Sequence, residues 1–210
     1  MSGSVADKPE RMVDPAEPIE VSGPPARFVS RGGEKLDSAL AAFSIDVEGM
    51  RCLDVGSSTG GFTDRLLQGG ASSVVALDVG RGQLEWSMRS DPRVTVMERT
   101  DVRDVERGSV GMLDLVVVDV SFISLRTVLP SIVALAADAP IVTLCKPQFE
   151  VGKDRVGKGG IVRDPALQRE AVDAVIATAA SLGRRCAAQI PSAVVGAKGN
   201  QEFFLHLVAG

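Results

Sequence analysis

The 210-residue chain is poor in the residues that mark a metal or disulfide protein, with three cysteines and one histidine. The cysteines are odd in number and lack metal-ligand spacing. Cys52 and Cys145 lie inside apolar runs, and Cys186 follows two arginines. They read as reduced, mostly buried thiols of a cytoplasmic protein, and no metal site is expected. No apolar stretch approaches ~18 uninterrupted residues, so no membrane-spanning helix is expected. The opening "MSGSVADKPERMVDPAEP" lacks the apolar core of a signal peptide. Positive charge is not in excess either, since the net charge is −4. That argues against a uniformly basic coat but leaves room for a local basic face. Candidates for such a face are Arg27, Arg31 and Lys35, then Lys153, Arg155, Lys158 and Arg163. A hydrophobic share of 45 % is enough for one sizeable core.

Residues 1–27 are rich in Pro, Glu, Asp and Gly and read as a tail, with one short strand at "PIEV" (18–21). Residues 28–210 read as one domain. Ser30 is placed to cap a helix running through Leu36, Leu40 and Phe43. From Arg51 onward strands and helices alternate. Strands are expected at "RCLDV", "SVVALDV", "RVTVME", "LDLVVVDV" and "PIVTLC". Helices are expected at 62–68, around 84–88, at 124–137 and at 165–182. Two last strands, near 185–195 and 201–208, flank the turn "GAKGN". This alternation predicts an α/β fold: a doubly wound, Rossmann-like sheet, mostly parallel, with helices on both faces. The short final connection suits a hairpin, so one C-terminal strand runs antiparallel.

The stretch "CLDVGSSTGGFTDRLL" (52–67) is a strand, a small-residue elbow and the start of a helix. In open parallel sheets, ligands sit at the carboxyl ends of the strands. A dinucleotide site wants G-x-G-x-x-G facing a pyrophosphate. Here the spacing is G-x-x-x-G-G, with Ser58 in place of the second glycine, and Asp54 is poor company for a phosphate. A carboxylate beside such an elbow suits a cationic ligand. S-adenosylmethionine (SAM) carries a sulfonium and an ammonium and no phosphate. Its expected contacts are Asp54, Gly56, Ser57, Ser58, Thr59, Gly60, Gly61 and Phe62, with Asp119 beside them. Asp78, about twenty residues on, is placed to hold a ribose diol, and Asp101 to accept from an adenine amino group. A second glycine pattern, "GKDRVGKGG" (152–160), has Gly159 where a phosphate loop needs Ser or Thr. It reads as a flexible basic loop over the active edge.

The residues beside the methyl group would set the reaction. The turn "DVSF" (119–122) lacks the proline of an amino-methylating turn. Cys145 and Lys146 are adjacent, and strand alternation turns only one of them to the site. His206 lies deep in the last strand, away from the functional edge. Four charged residues from distant segments converge on that edge: Lys35, Asp119, Lys146 and Glu202. They suit methylation of a hydroxyl, whose proton must leave as the oxygen attacks. A free lysine has a pKa of ~10.4. Desolvation and a second lysine lower that value, and carboxylates raise it. Lys146 is the expected base, with Lys35, Asp119 and Glu202 positioning it and the hydroxyl.

These residues also carry a family resemblance. "FVSRGGEKL", "LDVGSSTGGFTD", "ALDVGRGQL", "DVSFISL", "LCKPQFEVGK", "GKGGIVRD" and "GNQEFFLH" together resemble the TlyA-type, haemolysin A-like methyltransferases, relatives of the FtsJ-type RNA 2′-O-methyltransferases. The resemblance implies a Rossmann-like SAM domain and methylation of cytidine ribose in small- and large-subunit ribosomal RNA. It implies the family's Lys-Asp-Lys-Glu tetrad at Lys35, Asp119, Lys146 and Glu202. Such proteins carry a small basic N-terminal domain that grips RNA, and the front of this chain matches only its trailing end. Affinity for ribosomal RNA, or for ribosomal subunits, is then expected to be weak and salt-dependent. The alternative substrate is a small hydroxylated metabolite or nucleoside. Direct membrane lysis, suggested by the haemolysin name, finds no spanning helix and no barrel-like run of strands.

Overall fold

The computed structural model describes residues 26–210; the short strand expected at 18–21 lies outside them. Seven strands form one sheet: β1 (Arg51–Val55), β2 (Ser73–Asp78), β3 (Val94–Glu98), β4 (Leu115–Val118), β5 (Ile141–Cys145), β6 (Arg184–Pro191) and β7 (Phe203–Ala209). Their spatial order is β3-β2-β1-β4-β5-β7-β6. β1 to β5 pair parallel to one another, and β7 runs antiparallel to both β5 and β6. The expected mostly parallel sheet with an antiparallel C-terminal strand is therefore what forms.

Both faces are covered, which is why the central strands are largely apolar. Side chains alternate across the sheet. Leu53, Val55, Val116, Val118 and Ile141 pack with α4 (Leu125–Ala136) and α6 (Pro165–Ser181) on one face. Cys52, Val74, Leu115, Val117 and Leu144 pack on the other, against α1 (Arg31–Ala42) and α2 (Gly61–Gln68). Ser30 caps α1 as its position suggested, its side chain accepting from the Gly32 N–H. Two one-turn helices, α3 (Trp86–Arg89) and α5 (Pro147–Glu150), complete the covering elements.

Some strand ends differ from expectation. β4 stops at Val118 and leaves Asp119 in the loop. β6 stops at Pro191, one residue before a last bond from the Ser192 N–H to the Glu202 carbonyl at 2.8 Å. The strand order reverses between β1, whose neighbours are β2 and β4, so a crevice opens between the elbow after β1 and the loop after β4. His206 is remote from it, stacked on Phe43 with ring centroids 5.4 Å apart.

Glu150 holds the loop after β4 to the segment after β5. It is 5 % exposed. Its carboxylate accepts from Ser124 Oγ (2.5 Å) and the Leu125 N–H (2.7 Å), supplying acceptors at the start of α4. Arg126 adds an ion pair at 3.4 Å. Removing this carboxylate leaves buried donors without partners, so Glu150→Ala should cost about 2–3 kcal/mol in urea unfolding. A loss below measurement error would show that the link is not structural.

Candidate active site

Two adjoining cavities open at the reversal of strand order. The larger, of about 430 Å³, is lined by Gly56, Ser58, Asp78, Gln83, Asp101 and Asp119, among others. The smaller, of about 230 Å³, is lined by Lys35, Ser57, Thr59, Gly61, Phe62 and Asp119, among others. Gly56, Ser58 and Asp119 border both. The elbow can come this close to β4 because Gly56 has φ +86° and no side chain; a Cβ there would stand 2.5 Å from the Asp119 carbonyl oxygen.

The acids at the strand ends have different partners. Asp78 accepts from the Ser58 N–H (2.8 Å) through one oxygen and the Gly80 N–H (2.6 Å) through the other, so it braces the elbow while facing the larger cavity. Asp101 is gripped by the Arg103 guanidinium and its backbone N–H, which hold the carboxyl down to about 2.

Asp54 does not line either cavity. It is fully buried, and its Oδ2 accepts from Thr63 Oγ1 of α2 at 2.7 Å. Its Oδ1 has no partner among the described residues. Alternation explains this: Leu53 and Val55 face one layer of helices, so Asp54 faces the other, beneath the elbow. Gly60 also lies outside the lining. Its φ is +97°, and a Cβ would meet Leu84 at 2.9 Å and Met88 at 3.0 Å, so it serves close packing.

The four expected catalytic residues form two ion pairs, one buried and one whose carboxylate is half-buried. Lys35, 9 % exposed, donates to Glu202 Oε2 at 2.6 Å, with Glu202 2 % exposed. Lys146, 8 % exposed, lies 2.5 Å from Asp119 Oδ1, off the axis of a hydrogen bond. Strand order accounts for their meeting. Asp119 follows β4, Lys146 follows β5, and Glu202 precedes β7, whose Phe203 is paired with Cys145. The register, continued one step, sets Glu202 opposite Lys146. Cys145 faces the core, and burial pushes its thiol far above the ordinary range.

Several residues of the site escaped the sequence reading. Ser121 Oγ accepts from Lys146 Nζ at 2.7 Å. Gln83 joins the elbow through Ser58 Oγ at 3.3 Å. Asn200, 3 % exposed, accepts from the Val162 N–H (3.0 Å) and donates to the Gly160 carbonyl (2.9 Å). That tie, and the Arg155–Glu170 ion pair, anchor the basic loop expected to be flexible. Gly196 leaves room for the Glu202 carboxylate, since a Cβ would lie 2.1 Å from its Oε1. Phe122, 91 % exposed at the mouth of the larger cavity, has φ +66° and packs on Phe149.

The sheet order, the elbow and the flanking acids define a Rossmann-like methyltransferase, and solved structures agree on the fold. The magnesium protoporphyrin IX methyltransferase of Synechocystis PCC 6803 superposes with a TM-score of 0.60 at 16 % identity, covering 90 % of each chain. The chain belongs to the FtsJ-like methyltransferase family, whose model matches residues 28–209. Within it, the 16S/23S rRNA (cytidine-2′-O)-methyltransferase TlyA of Mycobacterium tuberculosis is 51 % identical over 99 % of this chain and 78 % of that protein. A crystal structure of a candidate hemolysin from Lactococcus lactis is 45 % identical, with a TM-score of 0.84 over 87 % of this chain and 88 % of that one.

Burial, opposed by Thr63 and reinforced by the charges of Asp119 and Asp78, pushes the Asp54 carboxyl from 3.8 up to about 7. An acid raised on folding binds more protons folded than unfolded, so stability falls as the pH rises between these two values and the loss is complete above the upper one. Asp54→Asn cannot ionise and keeps an acceptor for Thr63. Urea unfolding across this range should show a flatter decline than the parent; an unchanged slope would contradict the assignment.

Proposed function

We propose that the chain is a SAM-dependent methyltransferase acting on the ribose 2′-hydroxyl of cytidine in ribosomal RNA, with ribosomal subunits as its macromolecular partners. The observation that carries this reading is the pair of lysine–carboxylate contacts whose Asp119 and Lys35 line the glycine-elbow cavities, with Lys146 and Glu202 directly behind them. The 51 % identical relative, named for cytidine-2′-O methylation of 16S and 23S rRNA, supports the same reaction and substrate. Residues 28–210 act as the methyltransferase unit.

The residues present fit SAM. Asp78, Asp101 and Asp119 line the larger cavity, and no lysine or arginine among the described residues does, so a phosphate-bearing ligand is ill matched and a cationic one is not. Asp78 keeps lone pairs for a ribose diol, and Asp101 lies where it can accept from an amino group. Ser57, Thr59 and Phe62 border the smaller cavity, which suits the amino-acid end. When bound, SAM supplies a methyl group made electrophilic by its positive sulfur.

The chain's own contribution is to hold a sugar hydroxyl and take its proton. Lys146 in its neutral form accepts that proton at Nζ as the oxygen becomes nucleophilic. Asp119 then lies beside the ammonium that results. Glu202 holds Lys35 at the wall of the smaller cavity, where its ammonium can donate to the ribose or an adjoining phosphate. Low exposure of both lysines limits water at the reacting oxygen.

Purified protein incubated with methyl-labelled SAM and each ribosomal subunit should place label on a cytidine ribose, leaving an alkali-resistant linkage. Free nucleosides should accept far less. Lys146→Ala should lower turnover by about 100-fold or more while SAM binding by calorimetry persists. Label on a base, or full turnover by that variant, would overturn the reading.

A further inference from the structure

We propose that Ser121 is a positioning residue of the transfer reaction: its hydroxyl aims the amine of Lys146 at the substrate hydroxyl. The inference rests on Lys146 as the base. A lysine amine is tetrahedral, with one position taken by its own Cε and three left for hydrogen or a lone pair. Lys146 Nζ lies 2.5 Å from Asp119 Oδ1, but that oxygen receives no aligned hydrogen bond among the described residues. Asp119 therefore supplies charge without direction. The aligned bond goes to Ser121 Oγ, at 2.7 Å.

In the neutral amine the consequence is geometric. One N–H points at Ser121 and the other lies on the side of Asp119. The remaining tetrahedral position carries the lone pair, and it faces the only direction not taken by these two residues or the side chain's own stem. Without Ser121 the amine rotates about its last bond, and the lone pair samples directions that cannot accept the substrate proton.

The local backbone holds Ser121 for this task. Ser121 lies two residues after Asp119, on the wall of the larger cavity. The next residue, Phe122, has φ +66°, a left-handed conformation that strains a non-glycine residue. Three residues on, Ser124 and Leu125 are bonded to Glu150, four positions after Lys146. The serine and the lysine thus sit on two segments joined at a second point, and their separation does not depend on their own bond.

Ser121 is exposed at the cavity, so its replacement should fold; the melting temperature verifies this. The test compares Ser121→Ala, Ser121→Thr and Lys146→Ala with the parent, measuring steady-state methyl transfer to ribosomal subunits from neutral to alkaline pH. Ser121→Ala should lower kcat about 10- to 100-fold, with KM for the subunit and Kd for SAM unchanged. Its pH–rate profile should depart from the parent's, since the hydroxyl in contact with the amine is gone. Ser121→Thr, which keeps the hydroxyl, should restore most of the rate and the parent profile. A parental rate and profile in Ser121→Ala overturns the inference, as does a loss confined to KM or one that threonine fails to recover. Lys146→Ala separates the two claims. If it is inactive while Ser121→Ala is unimpaired, only the serine's role falls; if it still turns over, the base assignment falls and this inference with it.

Discussion

Two lysines are buried at the edge of this sheet because each meets a carboxylate. An unpaired ammonium at 8 or 9 % exposure would lose most of its hydration, and no apolar packing would replace that loss. Glu202 and Asp119 remove the problem at 2.6 and 2.5 Å. The same pairing makes the site chemically useful. An amine kept from water but held beside a carboxylate can exchange a proton with a neighbouring hydroxyl without solvent competing for either.

The fold brings the four groups together with little local machinery. The reversal of strand order after β1 opens the crevice, and the antiparallel β7 returns Glu202 to the edge where the parallel strands end. α1 carries Lys35 to the same edge from the other side of the elbow. It is seated there by crossing α2 closely: a Cβ on Gly61 would lie 2.9 Å from the Gly33 nitrogen. Asp64 of α2 adds a bond to the Val29 N–H at 2.8 Å. The glycines of "SRGG" and "STGG" therefore matter as much for bringing two helices together as for leaving room for a ligand.

Much of this was legible in the residues. Hydrophobic runs ending in Asp78 and Asp119, the Ser30 cap and the spacing of Leu36 and Leu40 place the strands and helices that form. The four charged residues were recognisable because charges at the tips of buried strands demand partners. What stayed hidden depends on contacts between distant segments. Nothing local to Glu150 or Asn200 says that one will cap α4 and the other will tie a basic loop to the turn before β7. Ser121 looks like any loop serine until Lys146 is placed beside it. Asp54 was open to a better reading, since alternation with Leu53 and Val55 already turns it into a helical layer and away from the strand's end.

The proposed reaction depends on one arrangement: the two cavities meeting at Asp119 form a single site for a methyl donor, with the Lys146 amine against Asp119. A crystal structure with S-adenosylhomocysteine tests this most directly. The account predicts the adenosine among Asp78, Asp101 and Gln83, the amino-acid end beside Ser57 and Thr59, and the sulfur near Asp119 on the side facing Lys146. Adenosine bound elsewhere, or a sulfur turned away from the lysine, would contradict it.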